Sequence, residues 1–166
     1  MSVQLLTNVV IGLALVGFVA ARQLRWRRVD RTTVWKMPAV LGIIGLFSLG
    51  SASKGLTIHS VDIVLIGVEL VISIGTGLLM GRLTTFRTAQ TPDARGRLIE
   101  ARTGGVGAAL WIVLIVVRIG IDVIGGYMGA QLLTATGVIL LSVAINRAAA
   151  ALVLDGRLPQ VARVRA

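Results

Sequence analysis

Five long apolar stretches alternate with short polar ones along this chain, at residues 3–21, 34–49, 61–80, 106–124 and 131–154. Each approaches the roughly 20 residues that an α-helix needs to cross about 30 Å of hydrocarbon. The pattern predicts an all-α integral membrane bundle of five transmembrane helices over residues 1–154, followed by a basic cytoplasmic tail over 155–166. Span two is the shortest and is entered through Pro38. Proline is tolerated in a first helical turn, where its missing N–H costs little. The connection over 125–130 is so short that spans four and five should form a tight helical hairpin.

Residues 81–105 form the one sizeable polar connection. Thr91-Pro92-Asp93 and Gly96 are turn formers. They separate residues 83–88 from residues 97–102, and the threonines of the first segment favour a strand. A short cytoplasmic β-hairpin is expected there, with an interfacial basic helix as the alternative.

Charge orients the pattern. Of the 17 basic residues, six (Arg22 to Lys36) come after span one, five (Arg82 to Arg102) after span three and four (Arg147, Arg157, Arg163 and Arg165) at the end of the chain, leaving Lys54 on the other side and Arg118 deep inside a span. Short loops rich in Lys and Arg stay in the cytoplasm. The N-terminus is therefore expected outside and the C-terminus inside, in a bacterial inner membrane. Arg22, Arg25, Arg27, Arg28, Arg87, Arg95 and Arg97 become candidate contacts for anionic lipid headgroups or for a membrane protein partner. The first stretch has no basic residue before it and a dense basic run after it, the reverse of a secretory signal.

Composition agrees with this reading. The chain is 55% hydrophobic, with mean hydropathy +0.89. It is 14% charged, against about 25% in soluble domains. A net charge of +10 invites a nucleic-acid reading, but aromatic content is only 4%, which argues against base-stacking platforms. Nucleic acid is not an expected partner. The chain has no cysteine and one histidine, His59. Thiol redox chemistry and a two-histidine haem or metal site within one subunit are excluded. No cofactor or metal is expected.

The residues able to carry chemistry lie in spans three and four. Asp62 begins span three, and Glu69 lies nearly two turns deeper on the same face, roughly 12 Å below the outer boundary. Span four runs the other way, with Asp122 near its outer end and Arg118 one turn deeper. Glu69 and Arg118 therefore fall at one depth on adjacent helices. A single charge at mid-helix costs about 2.5–3.5 kcal/mol, and pairing lowers that cost. A Glu69–Arg118 pair flanked by Asp122 and Asp62 is expected. Its role is either to lock the two spans together or to form a polar pocket for a cation, a proton or a polar group.

Other polar groups read as structural. Asn146, with Ser142 one turn away, and Asn8 can hydrogen-bond across helices. Arg147 can snorkel to the cytoplasmic interface. His59 beside Asp62 is a solvated loop residue, a pH-sensing group or a metal ligand shared with a partner, the first being favoured. Gly17 with Ala21, Gly77 with Gly81, and Gly125 with Gly129 are spaced for close helix packing, within one chain or between two copies. Gly104-Gly105-Val106-Gly107 opens span four, as a packing feature or as an approach to phosphate. No Walker loop, HExxH or nucleophile elbow is present, so no catalytic residue is assigned and the chain reads as non-enzymatic.

The run Ala21-Arg22-Gln23-Leu24-Arg25-Trp26-Arg27-Arg28-Val29, then Trp35 and Pro38, resembles actinobacterial membrane proteins of the CcdC-like, DUF1453 type. Residues 68–123, with Glu69, Gly75, Gly77, the polar hairpin and Arg118, add to the resemblance. It implies a small multi-pass membrane protein, associated by name with cytochrome c maturation, and brings no catalytic residues. Without cysteine, such a role would be accessory rather than thiol exchange. The function expected is an accessory or assembly factor for other membrane components. The alternative is a small homo-oligomeric transporter or channel subunit that uses the Asp62, Glu69, Arg118 and Asp122 cluster.

Overall fold

In the computed structural model, residues 17, 21, 23–52, 58–130, 132–133 and 135–164 are described. Apart from Gly17 and Ala21, the first expected span lies outside the described residues, as do Asn8, Arg22 and Lys54. The described elements are β1 (Arg27–Arg28), α1 (Arg31–Ala52), α2 (Ser60–Leu83), β2 (Thr85–Thr88), β3 (Ile99–Arg102), α3 (Gly104–Tyr127) and α4 (Thr136–Val164). All four helices are long and apolar enough to cross a membrane. The 24 residues of α2 and of α3 rise about 36 Å.

Helix starts and stops follow from side chains. Asp30 accepts a 2.5 Å hydrogen bond from the Thr33 amide and begins α1 upstream of Val34. Pro38 consequently lies inside the helix, not in its first turn as the sequence suggests. There it has no N–H to offer the Val34 carbonyl. The Asp62 carboxylate accepts from the His59 amide at 3.0 Å and opens α2. At the other end of α2, Arg157 Nη1 donates to the carbonyls of Gly81 and Arg82, each at 2.8 Å. A cation placed there satisfies carbonyls left without helical partners.

α4 differs from expectation at both ends. It begins at Thr136 rather than at Gln131, and it continues past Leu154 to Val164. Two contacts hold the extension. Asp155 accepts from Arg31 Nε of α1 at 2.6 Å, and Arg157 caps α2.

α4 is the central helix against which α1 and α2 pack. Gly45 faces Leu141, Gly42 faces Ala144 and Gly137 faces Leu49, so α1 runs antiparallel to α4. Gly77 faces Asn146 and Ala149, and Gly81 faces Ala150 and Val153, so α2 runs parallel to it. A Cβ at Gly81 would stand 2.7 Å from Val153 Cβ, and one at Gly77 would overlap the Asn146 carbonyl. The Gly77 and Gly81 spacing thus serves contact within the chain. Gly125 packs on Leu133, whereas Gly129, at φ +78°, makes the turn after α3.

The start of α1, the ends of α2 and α4 and the start of α3 gather at one end, beside the sheet. Its strand order is β1-β3-β2, antiparallel throughout. β2 and β3 form the expected hairpin, with Thr85 opposite Arg102 and Thr88 opposite Ile99. The interfacial helix does not form. β1 is an addition: Arg27 pairs with Ala101 and Arg28 with Glu100. Its amino acids are close in sequence to span one and distant from the hairpin, so local pattern does not reveal it.

Candidate functional site

The charged cluster forms where α2, α3 and the connection after α3 meet. Arg118 is its hub. Its Nη1 bonds to Glu69 Oε2, its Nε donates to Asp122 Oδ2 at 3.1 Å and its Nη2 donates to the Leu133 carbonyl at 2.6 Å. The side chains of Arg118 and Glu69 are only 15% and 6% exposed, so the pair lies within the bundle. Arg118 and Asp122 are i and i+4 on α3 and share a face.

Asp62 joins the cluster indirectly. It is fully buried and accepts a 2.9 Å hydrogen bond from the Leu132 amide, while its other oxygen holds the His59 amide. Asp62 and Arg118 therefore grip the main chain of two consecutive residues in the segment joining α3 to α4. Leu132 and Leu133 are buried there, with Leu133 packed against Ile121 and Ala130. This segment folds back into the bundle rather than extending span five. Two leucines read as helix by composition, and only the long-range bonds to Asp62 and Arg118 mark them as a clamped turn.

His59 is half exposed, with Nδ1 3.8 Å from Asp62. Among the described residues, no group of three or more His, Asp or Glu side chains is placed to hold a metal ion.

A cavity of about 150 Å³ runs from the cluster between α2, α3 and α4. Glu69 and Arg118 line one part of it, and Trp111, Ser73 and Ser142 another. The rest of its wall is apolar. Two buried polar atoms in this region have no hydrogen-bond partner: Asp122 Oδ1 and Trp111 Nε1.

A second polar group lies deeper along α4. Asn146, fully buried, donates from Nδ2 to the Ser73 carbonyl and to Thr76 Oγ1, both at 2.9 Å. It therefore ties α4 to α2, as cross-helix glue does. Its Oδ1 is without a partner. Arg147 turns its guanidinium over the Trp111 ring, 4.8 Å from the centroid, and so links α4 to α3.

The arginines expected to contact lipid or a partner divide into two sets. Arg87 and Arg28 both approach Glu100, at 2.7 and 3.7 Å. Arg97 pairs with Asp93 at 2.6 Å and donates to Thr33 at 3.2 Å. That arrangement holds the Asp93 carboxyl well below the ordinary aspartate range, at about 2, chiefly through the Arg97 side-chain hydrogen bond. Asp30 is lowered too, chiefly by its hydrogen bonds to Thr33. These three arginines build the sheet and dock it on α1. Arg25, Arg27 and Arg95 are exposed, while Arg22 lies outside the described residues. Trp26, which the sequence singled out only within the resembling run, has the guanidinium groups of Arg87 and Arg102 4.2 and 4.9 Å from its ring centroid.

No family model, curated protein or solved structure matches the chain.

Proposed function

We propose that this is a non-enzymatic, five-span protein of a bacterial inner membrane, with its C-terminus cytoplasmic, that acts as an accessory or assembly factor for other membrane components. The observation that carries the reading is the closure of the Arg118 cluster. Glu69, Asp122 and the Leu133 carbonyl all bind the one guanidinium, and Asp62 is engaged by main-chain amides. Charges inside an apolar bundle are functional candidates by default, yet here each has a structural partner. Exposed arginines, among them Arg25, Arg27 and Arg95, lie at the sheet end. That surface suits a partner or an anionic bilayer. The CcdC-like resemblance points the same way.

The test is purification in mild detergent with identification of co-purifying proteins. A stoichiometric membrane partner, lost on Arg25→Glu with Arg95→Glu, supports the reading. Association that survives the double change contradicts it.

One observation favours a second reading, a small transporter subunit. Asp122 Oδ1 is buried without a partner beside the cavity that adjoins Glu69 and Arg118. A protonatable or polar solute would find an acceptor there. The mostly apolar wall beyond the cluster opposes a continuous polar path. Flux into liposomes abolished by Glu69→Gln, with folding intact, would establish this second reading.

A further inference from the structure

A larger cavity, about 450 Å³, lies at the sheet end between α1 and α4. Its size falls within the range of about 300–1,000 Å³ typical of ligand sites. Four cationic residues from three elements line it: Arg27 and Arg28 of β1, Lys36 of α1 and Arg147 of α4. Among the described residues, no aspartate or glutamate does. Glu100 lies 3.7 Å from Arg28 and Asp30 feels the charge of Lys36, but both carboxylates stand outside the lining, so the wall itself is cationic. Sequence reading missed the grouping because Lys36 and Arg147 approach only when α1 and α4 pack antiparallel.

The cavity is two-sided. Its polar part faces the sheet. Its apolar part includes Met37 and Val40, from which Ile44 and Phe47 continue along the same face of α1 at helical spacing. These four are 43%, 54%, 49% and 76% exposed. A cationic chamber that opens onto an exposed apolar stripe matches a ligand with an anionic head and a hydrocarbon tail. Basic pockets between transmembrane helices at the cytoplasmic side take anionic headgroups.

We propose that this cavity binds one anionic glycerophospholipid, its phosphate held by Arg27, Arg28, Lys36 and Arg147 and an acyl chain laid along Met37, Val40, Ile44 and Phe47. The inference rests on the membrane reading above and adds a defined, single-lipid site to diffuse surface attraction. The apolar stripe lets the acyl chain stay in hydrocarbon while its headgroup is held. The cations supply selection for negative charge.

The experiment is native mass spectrometry of the full chain from mild detergent, titrated with phosphatidylglycerol, phosphatidylcholine or inorganic phosphate. A one-to-one phosphatidylglycerol adduct is expected, with phosphatidylcholine and phosphate much weaker. Lys36→Gln should weaken the adduct roughly fivefold. Arg82→Gln, an equal charge change outside the cavity, should not. Arg147→Gln also removes the Trp111 contact, so the exposed Lys36 carries the test if that variant misfolds. Equal retention of phosphatidylcholine, equal binding of inorganic phosphate, or equal effects of Lys36→Gln and Arg82→Gln would overturn the site. Resistance of the same protein to carbonate extraction reports separately on the membrane reading. A protein that resists extraction but shows no selective adduct sinks this inference alone.

Discussion

Arg118 donates to the main-chain oxygen of Leu133 at 2.6 Å across the turn between two helices. One guanidinium thereby fixes a carboxylate on α2, a carboxylate on its own helix and the path of the chain into α4. The arrangement makes Arg118 a three-way brace, and its loss should be felt in all three places.

Arg118→Leu leaves Glu69 and the Leu133 carbonyl without their partner. Breaking a buried ion pair on one side is expected to destabilise by about 3 kcal/mol. Adding Glu69→Leu should recover part of that loss, because no uncompensated charge remains. Unfolding in detergent of the single and double variants checks this. A single variant as stable as the parent would remove the brace from the account.

Gly77 and Gly75 offer a paired test of α2–α4 packing. A side chain at Gly77 meets the Asn146 carbonyl and Ala149, whereas one at Gly75 meets nothing. Gly77→Val should cost about 2 kcal/mol through overpacking. Gly75→Val should fold normally. Similar behaviour of the two would contradict the placement of α4.

The sheet end should respond to acid. The folded Asp93 pKa is lowered to about 2, while the unfolded value lies near 3.9. A depressed carboxylate contributes stability that is complete above the unfolded value and is lost as pH falls through the folded one. Asp30, also lowered, acts in the same direction. Neither carboxylate should alter the sheet between pH 8 and 5, and loosening should set in below about pH 4. Trp26, in contact with Arg87 and Arg102, supplies a fluorescence probe for the hairpin. Asp93→Asn should reduce the acid response. A transition centred near neutral pH would show that another group governs it.

Parts of this fold were legible because their causes are local or follow from helix geometry. Glu69 and Arg118 lie at one depth on helices of opposite direction, so their contact follows from rise per residue and the cost of a lone charge. The hairpin follows from threonines on one side of Pro92, Asp93 and Gly96. The closed turn at Leu132 and Leu133 did not show, because apolar residues in a short connection read as more helix. The same holds for β1, whose partner Ala101 is far along the chain, and for the α1 start, where one Asp30 hydrogen bond moves the boundary upstream of Val34 and leaves Pro38 inside the helix. Lys36 and Arg147 share a cavity only through tertiary packing, which no sequence window contains.

Orientation is the claim on which the rest depends, and a cysteine-free chain makes it directly measurable. Single cysteines at Arg95, in the hairpin, and at Tyr127, which is 89% exposed at the opposite end, would be labelled with a membrane-impermeant maleimide in spheroplasts. The Tyr127 position should react in intact spheroplasts and the Arg95 position only after permeabilisation. Labelling of the Arg95 position in intact spheroplasts would contradict this orientation.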